Sequence, residues 1–332
     1  MRPHNHLPKL SYPRHEPSTY NTIAVNDLDP NVLGETAAVV TSCLWTINSL
    51  FFTSAGKRIG SLSVNAYRII MAVGFLALAH TILLGAIVPT ATNQQWFWMG
   101  MSGIVGLGIG DYGLFAAFVT IGPRRSLLVM ALSPIFASVG AYLMLGETLP
   151  TLAIFGIAIT LSGVVVVILE EEERSGEATV SKKLRSYGVF LALVGAIGQG
   201  VGLVFAKKGI YLDPGMTLNP LSATLIRMIL GALFVWIVAA TAKKLPELRE
   251  AIKSKEGMRH TAAGAFLGPF LGVTLSMVAV TYTNAGIAQT LMSLMPVLII
   301  PVVWVMYKQR TSLRGILGAA MAVVGVAILF LT

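Results

Sequence analysis

Apolar runs of about twenty residues recur from position 33 almost to the last residue, and this recurrence limits the fold more than anything else in the chain. A helix of that length crosses the hydrocarbon core of a bilayer. The runs are continuous rather than alternating, so they suit helices, which satisfy their own backbone groups, and not the short alternating strands of a barrel. Composition agrees. Of 332 residues 55% are hydrophobic and 12% charged, where a soluble domain carries about a quarter charged, and the mean hydropathy is +0.75. The expected class is an all-α integral membrane protein.

The runs lie near 33–53, 64–84, 96–119, 124–144, 150–169, 187–207, 219–241, 261–282, 285–306 and 311–331. A polar tail (1–32) precedes them and is expected to be disordered. It lacks the apolar core of a signal peptide. A polar linker, "EEEERSGEATVSKKLRS" (170–186), divides the chain, and a second charged gap covers 243–260. These two gaps are the expected ordered-to-mobile boundaries. Trp96 and Trp98 stand at a span edge, where indole rings favour the headgroup region.

The net charge is +9, but its cations cluster in the short gaps between runs. Membrane topology explains that placement better than nucleic-acid binding does. Cys43 is the single cysteine, so no intrachain disulfide forms. His4, His6 and His15 sit in the tail without the Cys or carboxylate cluster that completes a metal site. No metal or cofactor is expected.

Shifting the sequence by 162 positions lays "ALSPIFASVGAYLMLGETLPTLAIFGIAITLSGVVVVIL" on "SLMPVLIIPVVWVMYKQRTSLRGILGAAMAVVGVAILFL". Pro134 meets Pro296, Gly156 meets Gly318, and Gly163 meets Gly325. Going backward without a gap, Gly106 meets Gly268, Gly110 meets Gly272 and Met130 meets Met292. Arg68 and Arg227 both fall early in the second span of their halves. The chain reads as a duplicated five-span unit, over 33–169 and 187–331. Five is odd, so the second copy must enter the membrane upside down, and equivalent loops should exchange positive charge. Arg124 and Arg125 fall opposite Gly286 and Ile287, while Gly146, Glu147 and Thr148 fall opposite Lys308, Gln309 and Arg310. The expected fold is therefore ten transmembrane helices in two inverted five-helix repeats. Most loop cations occupy the odd-numbered gaps; the even-numbered gaps carry Lys207 and Lys208. The positive-inside rule then places odd gaps in the cytoplasm and both termini outside.

These features resemble the drug/metabolite transporter superfamily with two EamA-type domains. The similarity rests on "LSPIFASVGAYLMLGETL", "SGVVVVIL", "GIGDYGLFAAFVTIGPRRS", Trp45 in the first span and Arg68 in the second. The resemblance implies an all-helical inverted repeat that moves small organic solutes by alternating access across the cell (plasma or inner) membrane. It also implies both termini in the cytoplasm, against the charge count. The second copy departs from the pattern, with Lys308 and Gln309 where the first has Gly146 and Glu147.

Asp111 is the leading candidate for chemistry, a carboxylate within "GLGIGDYGLF" that must be protonated, paired or hydrated at depth. It suits proton coupling or a substrate amine, or an ion pair with Arg68 that locks two helices. By the offset its counterpart is Val273. Arg68 and Arg227 suit an anionic solute group, or they snorkel to the interface or pair structurally. Pro134 and Pro296 break their helices and free carbonyls that can line a cavity. Trp45, Asn48, Tyr112, Gln199, Ser276, Tyr282, Asn284 and Gln289 complete the expected pocket. Small polar residues also join membrane helices, and the glycine-rich runs suit close helix approach. No zinc-protease, phosphate-loop or catalytic-triad pattern stands out. The chain is expected to be a secondary transporter rather than an enzyme, sensor or scaffold, with a small-molecule solute and the bilayer as partners and no nucleic acid.

Overall fold

The structure, a computed structural model, describes residues 29–121, 123–175, 182–212, 217–298 and 312–332. The tail therefore lies outside the described residues, as do residues 308–310 and the middle of the 170–186 linker. Among the described residues the secondary structure is helical.

In the first half, α1 (Pro30–Ile59) and α2 (Ser61–Leu84) are separated by Gly60 alone. Gly60 has φ 78°, a left-handed conformation that favours glycine. Asp29 caps α1, accepting from the Asn31 N–H at 2.9 Å, and Pro30 supplies the fixed φ of a helix start. Next, α3 (Asn93–Ser102), a π-helical segment (Gly103–Gly110) and α4 (Asp111–Ile121) run on as one helix. α5 (Pro123–Met130) stops at a turn before α6 (Ser133–Leu145), and α7 (Thr151–Ser175) closes the half. In the second half come α8 (Lys182–Ile210) and α9 (Pro220–Thr241), then α10 (Leu245–Ala251) and α11 (Lys255–Ala265). A second π segment (Phe266–Gly272) leads into α12 (Val273–Tyr282), followed by α13 (Ala285–Met292) and α14 (Leu313–Leu329).

Seven helical segments of the described residues are long and apolar enough to cross a bilayer, and Ala285–Leu298 and Leu313–Leu329 are shorter apolar helices. Large apolar side chains such as Ile82, Leu83, Leu143 and Phe155 are exposed on the perimeter, while Thr41, Arg68, Asp111 and Arg227 are buried. That arrangement, apolar outside and polar inside, suits lipid as the solvent.

The gap at 243–260 is not a mobile boundary but two ordered helix starts. Leu248 is buried and its carbonyl accepts from the Tyr67 hydroxyl at 2.9 Å, while Ser254 caps α11 through the Gly257 N–H. Charge density alone hid this anchoring. In the 170–186 linker, helix continues to Ser175 and restarts at Lys182.

Glycines set the tightest packing. α7 and α14 cross antiparallel, with Gly156 against the carbonyl of Gly325 and Gly163 against the backbone of Gly318 and Ala322. A Cβ at Gly325 would stand 2.8 Å from Gly156 O, too close for any side chain. The two π segments occupy equivalent places, since Gly106 and Gly110 fall in the first and Gly268 and Gly272 in the second. A π turn widens the helix and misaligns its carbonyls. Here the side chains of neighbours take them up: Gln199 Nε2 donates to Gly106 O and Thr41 Oγ1 to Gly272 O, both at 3.3 Å.

Candidate functional site

A cavity of about 510 Å³ lies between the two halves. Its walls come from α1, α2, α4, α5, α7, α8, α9, α12, α13 and both π segments. Phe52, Phe115, Leu107, Leu203 and a set of methionines (Met130, Met228, Met292) make most of the surface apolar. Thr53, Lys57 and Ser61, at the α1–α2 corner, are both exposed and cavity-lining, so the mouth lies there.

Of the residues singled out from sequence, Trp45, Asn48, Arg68, Asp111, Gln199, Arg227, Ser276, Gln289 and Pro296 line this cavity. Trp45 and Asn48 share a face of α1 and stand over the second π segment, in space left by Gly272 and Gly268. Pro296 follows the turn that ends α13, and Pro134 follows the turn between α5 and α6. Both are helix starts rather than kinks inside a helix, and Pro134 sits behind the wall, buried in packing. Three residues fall elsewhere. Tyr112 is 59% exposed, because one residue beyond Asp111 a helix has turned by about 100° and faces outward. Tyr282 and Asn284 lie half-buried at the end of α12 and start of α13, away from the cavity.

Neither arginine snorkels. Arg68 is 8% exposed and Arg227 3%. They occupy the same depth in helices that begin at Ser61 and Pro220, and both turn inward. Arg68 has several partners: Nη2 pairs with Asp111 Oδ2, Nε donates to Asn65 Oδ1 at 2.9 Å, and the guanidinium lies 5.5 Å from the Phe52 ring and 5.1 Å from that of Phe115. The other oxygen of Asp111, Oδ1, accepts from Gln199 Nε2 at 2.6 Å. Arg227 packs on Gly106, where a Cβ would come within 2.7 Å of its Nη2, and its Nε has no hydrogen-bond partner among the described residues.

A second buried pair escaped the sequence reading. Lys207 Nζ meets Glu147 Oε1 at 2.5 Å and donates to the Thr283 carbonyl at 2.6 Å. Glu147 Oε2 accepts from the Ala285 N–H at 3.0 Å, at the start of α13. Nearby, Gly34 of α1 lies against the backbone of Tyr282 and Thr283. These contacts tie α1, α8, the end of α6 and the α12–α13 junction together, away from the mouth. The signal was present: Glu147 is a carboxylate closing an apolar stretch, and Lys207 is a cation on the side where cations are scarce. At the mouth end, Arg58 pairs with Glu256 at 2.6 Å and Ser54 Oγ hydrogen-bonds His260 Nδ1 at 2.8 Å. Both contacts are near the surface. Among the described residues no group of three or more His, Cys, Asp or Glu is placed to hold a metal ion.

Comparison with known proteins gives likenesses in both sequence and fold. A family model described as the EamA-like transporter family matches residues 32–169 and again 186–331. A solved crystal structure superposes with a TM-score of 0.70 over 91% of this chain and 96% of its own, at 17% identity, which speaks to the fold alone. No curated protein matches.

Proposed function

The chain belongs to the EamA-like transporter family, within the drug/metabolite transporter superfamily, and from that premise we propose that it is a secondary carrier of small organic solutes working by alternating access. Ten spans form two inverted five-span repeats, and the solute occupies the cavity between them. The antiparallel crossing of the repeat-equivalent helices α7 and α14 supports inversion. The two π segments at equivalent glycines, both facing the cavity, support it too, as irregular helix at depth is tolerated where it lines a cavity.

One observation carries the reading. The cavity opens at the α1–α2 corner, and away from that mouth the buried Glu147–Lys207 pair holds α8, the end of α6 and the start of α13 together, which in this reading is the closed end. A carrier needs one closed end at a time, and a discrete ion pair is a two-state element that can open. In this reading the structure is one half of the cycle. Asp111, paired yet cavity-lining, is the candidate coupling group: a proton on it would remove the charge that holds Arg68 while its remaining carbonyl oxygen could still accept from Gln199. In this reading the mouth faces the cytoplasm, which the charge count supports.

The test is counterflow. Proteoliposomes holding the purified chain are preloaded with a cell extract, and its exchange against the same extract outside, labelled with stable isotopes, is followed by mass spectrometry. The carrier reading expects at least one solute to exchange faster than in protein-free liposomes. Exchange indistinguishable from empty liposomes for every solute overturns it.

A further inference from the structure

We propose, resting on the carrier reading above, that the solute is an organic monocarboxylate with an apolar body, and that Arg227 receives its carboxylate.

The two arginines are equivalent in position and unequal in circumstance. Arg68 has Asp111, Asn65 and two aromatic rings. Arg227 is as deeply buried, lines the same cavity, and leaves its Nε without a partner among the described residues. The second copy holds no carboxylate to answer it, because the position equivalent to Asp111 is Val273, which lines the cavity as a hydrocarbon. Asp111 itself has each oxygen engaged, one by Arg68 and one by Gln199.

Asp111 lies near enough for its charge to act on Arg227 as well as on Arg68, but one carboxylate cannot neutralise two buried guanidiniums, and the charge left over is costly until a counter-charge arrives. The ionisable groups lining the cavity are Lys57, Arg68 and Arg227 against Asp111 alone, so the chamber is positive overall and repels an amine. A guanidinium presents two parallel donors that match the planar carboxylate. Of the two guanidiniums that share Asp111, the one without a direct partner calls for a single anionic group. The remaining walls, Trp45, Phe52 and the methionines, suit an apolar or aromatic body. The volume of about 510 Å³ admits a solute of drug size or smaller.

The test uses the purified full-length chain in detergent and three probes with one apolar body: 3-phenylpropionate, 3-phenylpropylamine and 3-phenylpropanol. Binding is read from the rise in melting temperature along a concentration series. The carboxylate is expected to bind about tenfold or more tighter than the amine or the alcohol. Arg227→Lys keeps the charge but loses the fork and weakens the carboxylate alone; Arg227→Gln removes its advantage. Should Arg227→Gln fail to fold, Arg227→Lys decides on the same probes. An amine or alcohol that stabilises as well as the carboxylate overturns the proposal. So does an absence of shift with all three, or a carboxylate effect unchanged in the variants. Carboxylate binding without flux in liposomes contradicts the carrier reading and leaves this one standing; flux of a cation with no carboxylate binding does the reverse.

Discussion

Arg68 and Arg227 occupy the same depth of equivalent helices and reach into one chamber, yet only Arg68 forms an ion pair with Asp111, which acts on Arg227 through its charge alone. This asymmetry within a duplicated scaffold marks where the two halves have specialised. The first copy carries the protein's own ion pair at Asp111, and the second has Val273 in its place.

The Glu147–Lys207 pair should behave as a buried pair whose partners depend on each other. Glu147→Gln leaves Lys207 charged and dry, at a cost of about 3 kcal/mol. Glu147→Gln combined with Lys207→Met removes both charges and should recover most of that loss. Thermal or denaturant unfolding of the single and double variants measures the coupling. Additive losses would mean that the two side chains do not act as a pair.

Asp111→Asn should abolish accumulation driven by a proton gradient while leaving counterflow measurable, since the amide can still accept from Gln199 but cannot carry the proton. Uptake in proteoliposomes across a pH step reads the difference. Unchanged pH-dependent uptake removes the coupling role from Asp111.

The α7–α14 crossing should tolerate nothing larger than glycine. Gly325→Leu drives a side chain into Thr160 and the Gly156 carbonyl and should cost about 1–3 kcal/mol or prevent folding. Gly74→Leu is the control: a Cβ there meets nothing within 4 Å, so its effect should stay within about 0.5 kcal/mol. Equal losses at the two positions would argue against close packing as the cause.

Much of this molecule was legible from residue type and spacing. The recurrence of apolar runs gave helices across a bilayer, and the offset that pairs Pro134 with Pro296 also pairs the glycines now seen in the two π segments. Asp111, Arg68, Gln199 and Arg227 were named from a simple physical ground, that polar groups at depth have a purpose. What stayed hidden depended on facing and on distant contacts. Tyr112 neighbours Asp111 in sequence but points away, since adjacent helical residues diverge. Lys207 and Glu147 are far apart along the chain and meet only through packing. The glycine runs advertised close approach, but a π turn has no composition of its own that separates it from ordinary helix contact.

Side-specific access to the chamber tests the central claim most directly. In a chain with Cys43→Ser, a cysteine placed at the cavity-lining Ser49 is exposed to a membrane-impermeant thiol reagent from either face of oriented vesicles. The account predicts modification from the face that carries Lys57, and a shift toward the opposite face when Glu147→Gln opens the far end. Modification from both faces at once in the unaltered protein, or from neither, would contradict it.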